Sequence, residues 1–470
     1  MATAAPVWLT LDRAAGDLEG QLYRAMRDRI LAGQLAAGQS LAPTRGLAAA
    51  LGIARATVVA AYDRLKAEGY LDSRMGTASR VAALAPPPAA GRGPLPPPAA
   101  RPAEEVPAGR LFEPGEPDLS AFPHAAWARC LGARARALRV HDLGYGAAGG
   151  IRALQDAILG HVAATRGVAA RPEQVLVLPT TGAAIDLLAR LRLRPGQDAA
   201  WVEEPGYPTA RALLQAAGAR ILPVPCDAQG MDVARAAGPP PRLICVTPSH
   251  HYPTGATMSL QRRLALLEIA HAGGALVLED DYDNDFQYAS RPIAALQGID
   301  RGAVVAYLGS FSKILAPGLR VAYAILPAWL AEEAAAAARL RGAVVPVHIQ
   351  AALADFIREG RLRAHLRRMN ALYAARMAAT VAALRRHCGR VLEVGEGAGG
   401  LQLATWFRDP ATDDRAAVAR LGTQGIALRP MSRFYGGTPR PGLLFGIARV
   451  DPDWVDAAAA RVGALLGDGG

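Results

Sequence analysis

The chain has 470 residues, 51% of them hydrophobic, and its 52 lysines and arginines outweigh 41 acidic residues to give a net charge of +11. That length exceeds one ordinary domain, so two or three folded units with at least one large core are expected. No apolar run reaches the roughly 18–20 residues of a membrane span, and no basic segment followed by a hydrophobic one opens the chain, so a soluble, cytoplasmic protein without a membrane partner is expected. Cys130, Cys226, Cys245 and Cys388 are scattered singly, which indicates neither a disulfide framework nor a metal site. The positive balance permits a polyanionic partner without specifying one. Nearly all of it is arginine, for the only lysines are Lys66 and Lys313.

Taken in chain order, Leu18, Leu22, Met26 and Ile30 recur every four residues and predict an apolar helical stripe ending near Gly33. A second helix fits Thr44 to Leu51, Gly52 breaks it, and a third fits Ala54 to Glu68 with Val58, Tyr62 and Leu65 inward. Gly69-Tyr70-Leu71, a turn at Arg74-Met75-Gly76-Thr77 and a second strand ending at Val81 read as a wing. The phrases Leu41-Ala42-Pro43-Thr44-Arg45-Gly46-Leu47-Ala48, Leu51-Gly52-Ile53-Ala54-Arg55-Ala56-Thr57-Val58 and Glu68-Gly69-Tyr70-Leu71 resemble the GntR-type winged helix-turn-helix, over residues 12–81. The resemblance implies a double-stranded DNA operator as partner, with Arg55 and Thr57 at the start of the recognition helix, where an arginine makes paired bonds to guanine. Arg45, Gly76 and Thr77 are placed to hold phosphates or the minor groove and so to fix register. Two departures from that pattern are Ala42, where proline is usual, and Ala54, where a capping serine is usual; the lost cap costs about 1 kcal/mol.

Residues 82–110 are rich in proline and alanine, with Pro86-Pro87-Pro88 and Pro96-Pro97-Pro98, and read as an extended spacer. Beyond it, apolar runs at Val175–Leu178, Ala199–Val202, Leu243–Val246, Ala275–Leu278 and Val304–Leu308 alternate with helical stretches, the pattern of a parallel sheet covered on both faces. The expected fold class is therefore α/β for residues 111–468, with a large part to about 345 and a small C-terminal subdomain after it. From about Pro346 a long arginine-rich helix is expected.

Gly309-Ser310-Phe311-Ser312-Lys313 follows an apolar run and precedes Pro317-Gly318-Leu319-Arg320. An imine to an aldehyde cofactor needs a primary amine that sheds its proton, which arginine cannot do, so Lys313 is the candidate Schiff-base residue. Arg320 and Ser310 are candidates for a phosphate, as are the backbone N–H groups of Gly182 and Ala183 at the start of a helix. Asp280, in Leu278-Glu279-Asp280-Asp281-Tyr282-Asp283, would protonate a pyridine nitrogen, Tyr282 would donate to a ring oxygen, and Tyr207 would stack on the ring. His250 and His251 are expected to be ordinary loop residues.

From about Leu111 onward the chain resembles a fold-type I aminotransferase of the pyridoxal phosphate family, and with the winged helix in front it is similar to MocR-type regulators of the GntR family. That resemblance implies pyridoxal 5'-phosphate as cofactor, a homodimer, and Tyr145 of a Tyr-Gly-x-x-x-Gly segment reaching the phosphate across the dimer interface. The arginine that anchors a substrate carboxylate in aminotransferases is replaced by Leu444, and Tyr252 stands at the usual asparagine of Asn-Pro-Thr-Gly. Arg429, Arg433 or Arg440 are the candidates to substitute for the missing arginine. The expected function is a DNA-binding transcriptional regulator controlled by pyridoxal phosphate, an amine or an amino acid at Lys313. The alternatives are an active aminotransferase carrying a DNA-binding domain, and a regulator whose only effector is the vitamer.

Overall fold

Asp17 accepts a hydrogen bond from the Gly20 N–H and starts α1 (Leu18–Leu31), whose Leu22, Met26 and Ile30 pack against Val58, Tyr62 and Leu65. α2 (Thr44–Leu51) stops at Gly52, at φ +64°, where glycine carries no steric cost. Arg13 donates to the carbonyls of Leu51 and Gly52 at 3.2 and 2.8 Å, satisfying acceptors that the ending helix leaves unpaired. α3 (Arg55–Ala67) follows, with Ala54 as an N-cap that offers no side-chain hydrogen bond. β1 (Leu71–Asp72) pairs antiparallel with β2 (Arg80–Val81), Leu71 opposite Val81. This computed structural model describes residues 9–72, 78–83, 111–146, 149–283, 285–288, 293–300 and 303–467. The chain divides into two units, Met1–Val106 and Pro107–Gly470.

In the second unit β3 (Val175–Leu178), β4 (Ala199–Glu204), β5 (Arg220–Asp227), β6 (Gly230–Met231), β7 (Pro241–Val246), β8 (Leu276–Asp281), β9 (Val305–Ser310) and β10 (Ala322–Ile325) form one sheet, in the order β3-β10-β9-β8-β7-β4-β5-β6. The five apolar runs predicted from sequence are β3, β4, β7, β8 and β9; β4, β8 and β9 end two or three residues beyond the predicted limit, and β7 begins two residues ahead of it. β5 escapes a pattern search because Pro223 and Pro225 interrupt it and most of it is only partly buried; it lies toward a sheet edge, where proline is tolerated. The sheet is mixed rather than purely parallel, since β10 runs antiparallel to both β3 and β9. Two reversals restore direction, so the carboxyl ends of β3, β4, β7, β8 and β9 all open on one edge.

A second sheet, β11 (Leu392–Val394), β12 (Gln402–Phe407), β13 (Arg429–Pro430) and β14 (Gly442–Gly446), has the order β11-β12-β14-β13 and packs with the 28-residue helix Arg361–Cys388. This small lobe draws on both ends of the unit. Ala427 N–H donates to the Leu111 carbonyl at 2.9 Å and Gly446 N–H to that of Phe112 at 2.7 Å, while the Phe112 ring meets Phe445 edge-on at 5.3 Å. Packing thus assigns Leu111 and Phe112 to the small lobe, ahead of the large sheet in sequence; a linear reading, which follows the chain, put them in the large part. Among the described residues no helix is long and apolar enough to cross a membrane.

Candidate functional site

The shared carboxyl edge opens into a cavity of about 570 Å³, a volume suited to a small organic ligand. Each strand delivers a short segment to it: Thr180–Gly182 after β3, Tyr207 after β4, Thr247 after β7, Asp280, Tyr282 and Asp283 around the end of β8, and Ser310, Ser312 and Lys313 at and after the end of β9. The segment 113–116 and, from the small lobe, Leu401, Gln402 and Arg429 close the far side.

Lys313 Nζ bonds to the Gly115 carbonyl. Burial draws its pKa below the ordinary lysine value; Arg429 adds to that, while Asp283, Asp280 and Glu116 oppose it. An amine so placed sheds its proton more readily and can act as a nucleophile. The two adjacent aspartates of β8 separate by strand alternation. Asp281 accepts from Arg166 Nε at 2.8 Å and from the Tyr307 hydroxyl, a saturated buried pair. Asp280 faces the cavity, and its Oδ1 is buried with no partner among the described residues. Burial lifts the Asp280 carboxyl to about 7, with Asp281 and Asp283 adding to the effect and Lys313 opposing it. An orphaned acid of this kind, across from a basic amine, fits a ligand with a protonated ring nitrogen, and pyridoxal phosphate meets that description.

Tyr282 stands beside Asp280, its hydroxyl 3.2 Å from His250 Nδ1 and 3.2 Å from Gln402 Nε2. The expectation that both histidines are ordinary loop residues is corrected here, because both are buried. His250 Nδ1 lies 2.9 Å from Asp283 Oδ1; burial opposes its charge, but Asp283 outweighs burial and holds its pKa above the ordinary value. His251 clusters with Glu203 and Cys226 behind the loop. Both Glu203 oxygens are taken by Thr247, at 3.1 and 2.6 Å, burial lifts the Glu203 carboxyl to about 8, and burial lowers His251 to about 4, so this trio is a neutral packed cluster.

Of the residues singled out by sequence, Lys313, Asp280, Tyr282, Ser310, Tyr207 and Gly182 line the cavity. Ser310 also caps the short helix Phe311–Ile314 by accepting from Ser312 N–H at 3.1 Å. Ala183 does not line it, because its N–H is taken by Thr180 Oγ1 at 3.0 Å; the helix Thr181–Arg192 instead presents Thr181 beside Gly182. Arg320 is exposed, outside the lining, in a left-handed conformation at φ +51°. Tyr145 is 93% exposed and contributes nothing to its own chain's cavity. Among the three candidate arginines, Arg440 pairs with Glu393 over Trp406 and Arg433 is exposed, whereas Arg429 lines the cavity. Its strand position explains the exchange: Arg429 of β13 sits opposite Leu444 of β14, and Leu444 is packed among Ala404, Met431 and Phe434. Sequence reasoning missed Gly115 and Gln402 altogether, and Asp283 had no role although it lay in a quoted phrase.

In the first unit Arg45 and Arg55 are exposed at the starts of α2 and α3, and Thr57 is half-buried in the first turn of α3. Gly76 and Thr77 lie outside the described residues. The described part thus presents two arginines at the amino ends of a pair of helices joined through a glycine turn.

Residues 18–81 match the bacterial regulatory proteins of the gntR family, and residues 129–462 match the class I and II aminotransferases. The chain is 40% identical to the probable rhizopine catabolism regulatory protein MocR of Rhizobium meliloti over 461 residues, covering 94% of this chain and 93% of that one. It is 34% identical to the HTH-type transcriptional regulator TauR of Rhodobacter capsulatus, covering 89% and 90%. The α-aminoadipate aminotransferase LysN of Thermus thermophilus, solved with N-(5'-phosphopyridoxyl)-L-leucine, is 25% identical with a TM-score of 0.69, covering 76% of this chain and 92% of that one. A gntR-type head, an aminotransferase body whose cofactor is pyridoxal phosphate, and likeness to MocR along nearly the whole length place this chain among the MocR-type transcriptional regulators of the GntR family.

Proposed function

We propose that this regulator's grip on a double-stranded DNA operator is set by the occupant of the Lys313 cavity: pyridoxal phosphate, together with an amino acid that engages it. The carrying observation is Arg429, which restores to the cavity the guanidinium that Leu444 lacks. An arginine there offers a carboxylate two parallel charge-assisted bonds, which a vitamer without a carboxylate does not use. In this reading Asp280 holds the ring nitrogen, Tyr282 the ring oxygen and Tyr207 the ring face, while Thr181, Gly182 and Ser310 face the phosphate. Bound there, the cofactor supplies an aldehyde that condenses with amines. Arg55 and Thr57 read bases and Arg45 holds the backbone.

The protein acts as a homodimer in this reading. Tyr145, Val140 and Leu143 are 93, 89 and 73% exposed within one short segment, an apolar surface that a second copy would cover. Tyr145, absent from its own cavity, then serves the partner's.

The test is operator affinity measured with and without pyridoxal phosphate, across a panel of amino acids. Affinity should change with cofactor and with at least one amino acid, and Lys313→Ala should abolish both responses. Indifference of the unmodified protein to every addition would refute the reading. The enzyme alternative predicts rapid loss of the cofactor's visible band with an amino acid and its return with a keto acid.

A further inference from the structure

The direction of one hydroxyl hydrogen is fixed by the groups around Tyr282. Gln402 Nε2 is an amide nitrogen and only donates, so the Tyr282 oxygen accepts from it at 3.2 Å. His250 Nδ1 faces Asp283 Oδ1 at 2.9 Å, and a carboxylate only accepts. Nδ1 therefore carries hydrogen, whether the ring is neutral or charged, and the Tyr282 oxygen 3.2 Å away shares that hydrogen. Both neighbours of the phenol oxygen are donors. Its own hydrogen has nowhere to go among them, and the side left open is the cavity that Tyr282 lines with Lys313. The arrangement depends on Gly400: at φ +71° it leaves room where a Cβ would stand 2.1 Å from His250 Cε1 and 2.6 Å from Asp283 Oδ2.

We propose that His250 and Gln402 are positioning residues that hold the Tyr282 hydroxyl as a donor-only group aimed at the cofactor's ring oxygen. This rests on pyridoxal phosphate being held at Lys313. A donor on the ring oxygen draws that oxygen's charge away from the Lys313 nitrogen, which then loses its proton at lower pH. The other charged groups facing these residues are Asp280, Asp283, Glu116 and Arg429 around Lys313, and Asp281 and Asp283 around His250.

The experiment is a pH titration of the visible absorbance of full-length protein loaded with pyridoxal phosphate. Tyr282→Phe should raise the midpoint by about one pH unit, the size of shift one hydrogen bond produces. His250→Leu and Gln402→Leu should raise it in the same direction, and His250→Asn, which keeps a donor, should return it toward the unmodified value. In a Tyr282→Phe background neither leucine substitution should move it further. An unchanged midpoint in both leucine variants, or an undiminished shift in the Tyr282→Phe background, would overturn the inference. Should His250→Leu fail to fold, Gln402→Leu decides alone. A loaded, coloured protein that passes no such test defeats only this inference, whereas unmodified protein that never colours defeats the cofactor reading beneath it.

Discussion

At the scale of single residues, the cavity couples its acids to pH. The Asp280 carboxyl rises to about 7 because burial strips its hydration and Asp281 and Asp283 add like charge, and its Oδ1 has no partner among the described residues. A carboxyl whose folded value is raised binds more protons folded than unfolded, so its contribution favours the fold below the ordinary carboxylate range and is lost as pH climbs from about 4 to about 7. We therefore expect cofactor-free protein to lose thermal stability through that window. Asp280→Asn should flatten the dependence, and added pyridoxal phosphate should reduce it, both read from melting temperature against pH. The same orphaned acid explains what sequence could and could not reveal. Lys313 was legible because a lysine is so rare here that it demanded a chemical reason, and Asp280 because it ends an apolar strand. Arg429 could only be named as one of three, since its role depends on lying across a strand pair from Leu444, a register that no local pattern records. His250 was read as an ordinary loop residue because its partner Asp283 stands 33 positions away.

At the scale of elements, legibility followed burial. The strands covered on both faces were readable as continuous apolar runs, while β5, with its two prolines and half-covered side chains, was not. The head's helices were legible from periodicity and glycine, with ends shifted by at most two residues. α3 begins without a side-chain cap, since Ala54 offers no oxygen to its first N–H groups. Ala54→Ser should stabilise the head by about 1 kcal/mol, visible as a raised melting transition of the full chain. The two exposed arginines should separate on DNA. Arg45→Ala is expected to weaken all sequences alike and to lower the salt slope of binding by about 1, whereas Arg55→Ala should cost about 1–3 kcal/mol on the operator and little on random DNA. Equal losses on both DNAs for Arg55→Ala would remove it from base reading.

At the scale of the whole molecule, Glu204 is one of the side chains that clasp the small lobe to the large sheet. Glu204 pairs with Arg211, and its Oε1 accepts the N–H groups of Gly436 and Gly437 at 2.6 and 2.7 Å. The Phe434 carbonyl adds a bond from Gly206 N–H at 3.0 Å, and its ring meets Tyr252 edge-on at 5.3 Å. Glu204→Ala should speed amide exchange at Gly436 and Gly437 and weaken retention of the cofactor, and unchanged exchange would show that the clasp carries no strain of closure. The junction at Leu111 and Phe112 has a consequence of its own. The proline-rich sequence is followed at once by backbone that is stitched to Ala427 and Gly446, so the second unit is entered through its small lobe and not through the large sheet. A ligand that shifted the small lobe would therefore move the point where the chain from the head joins the body.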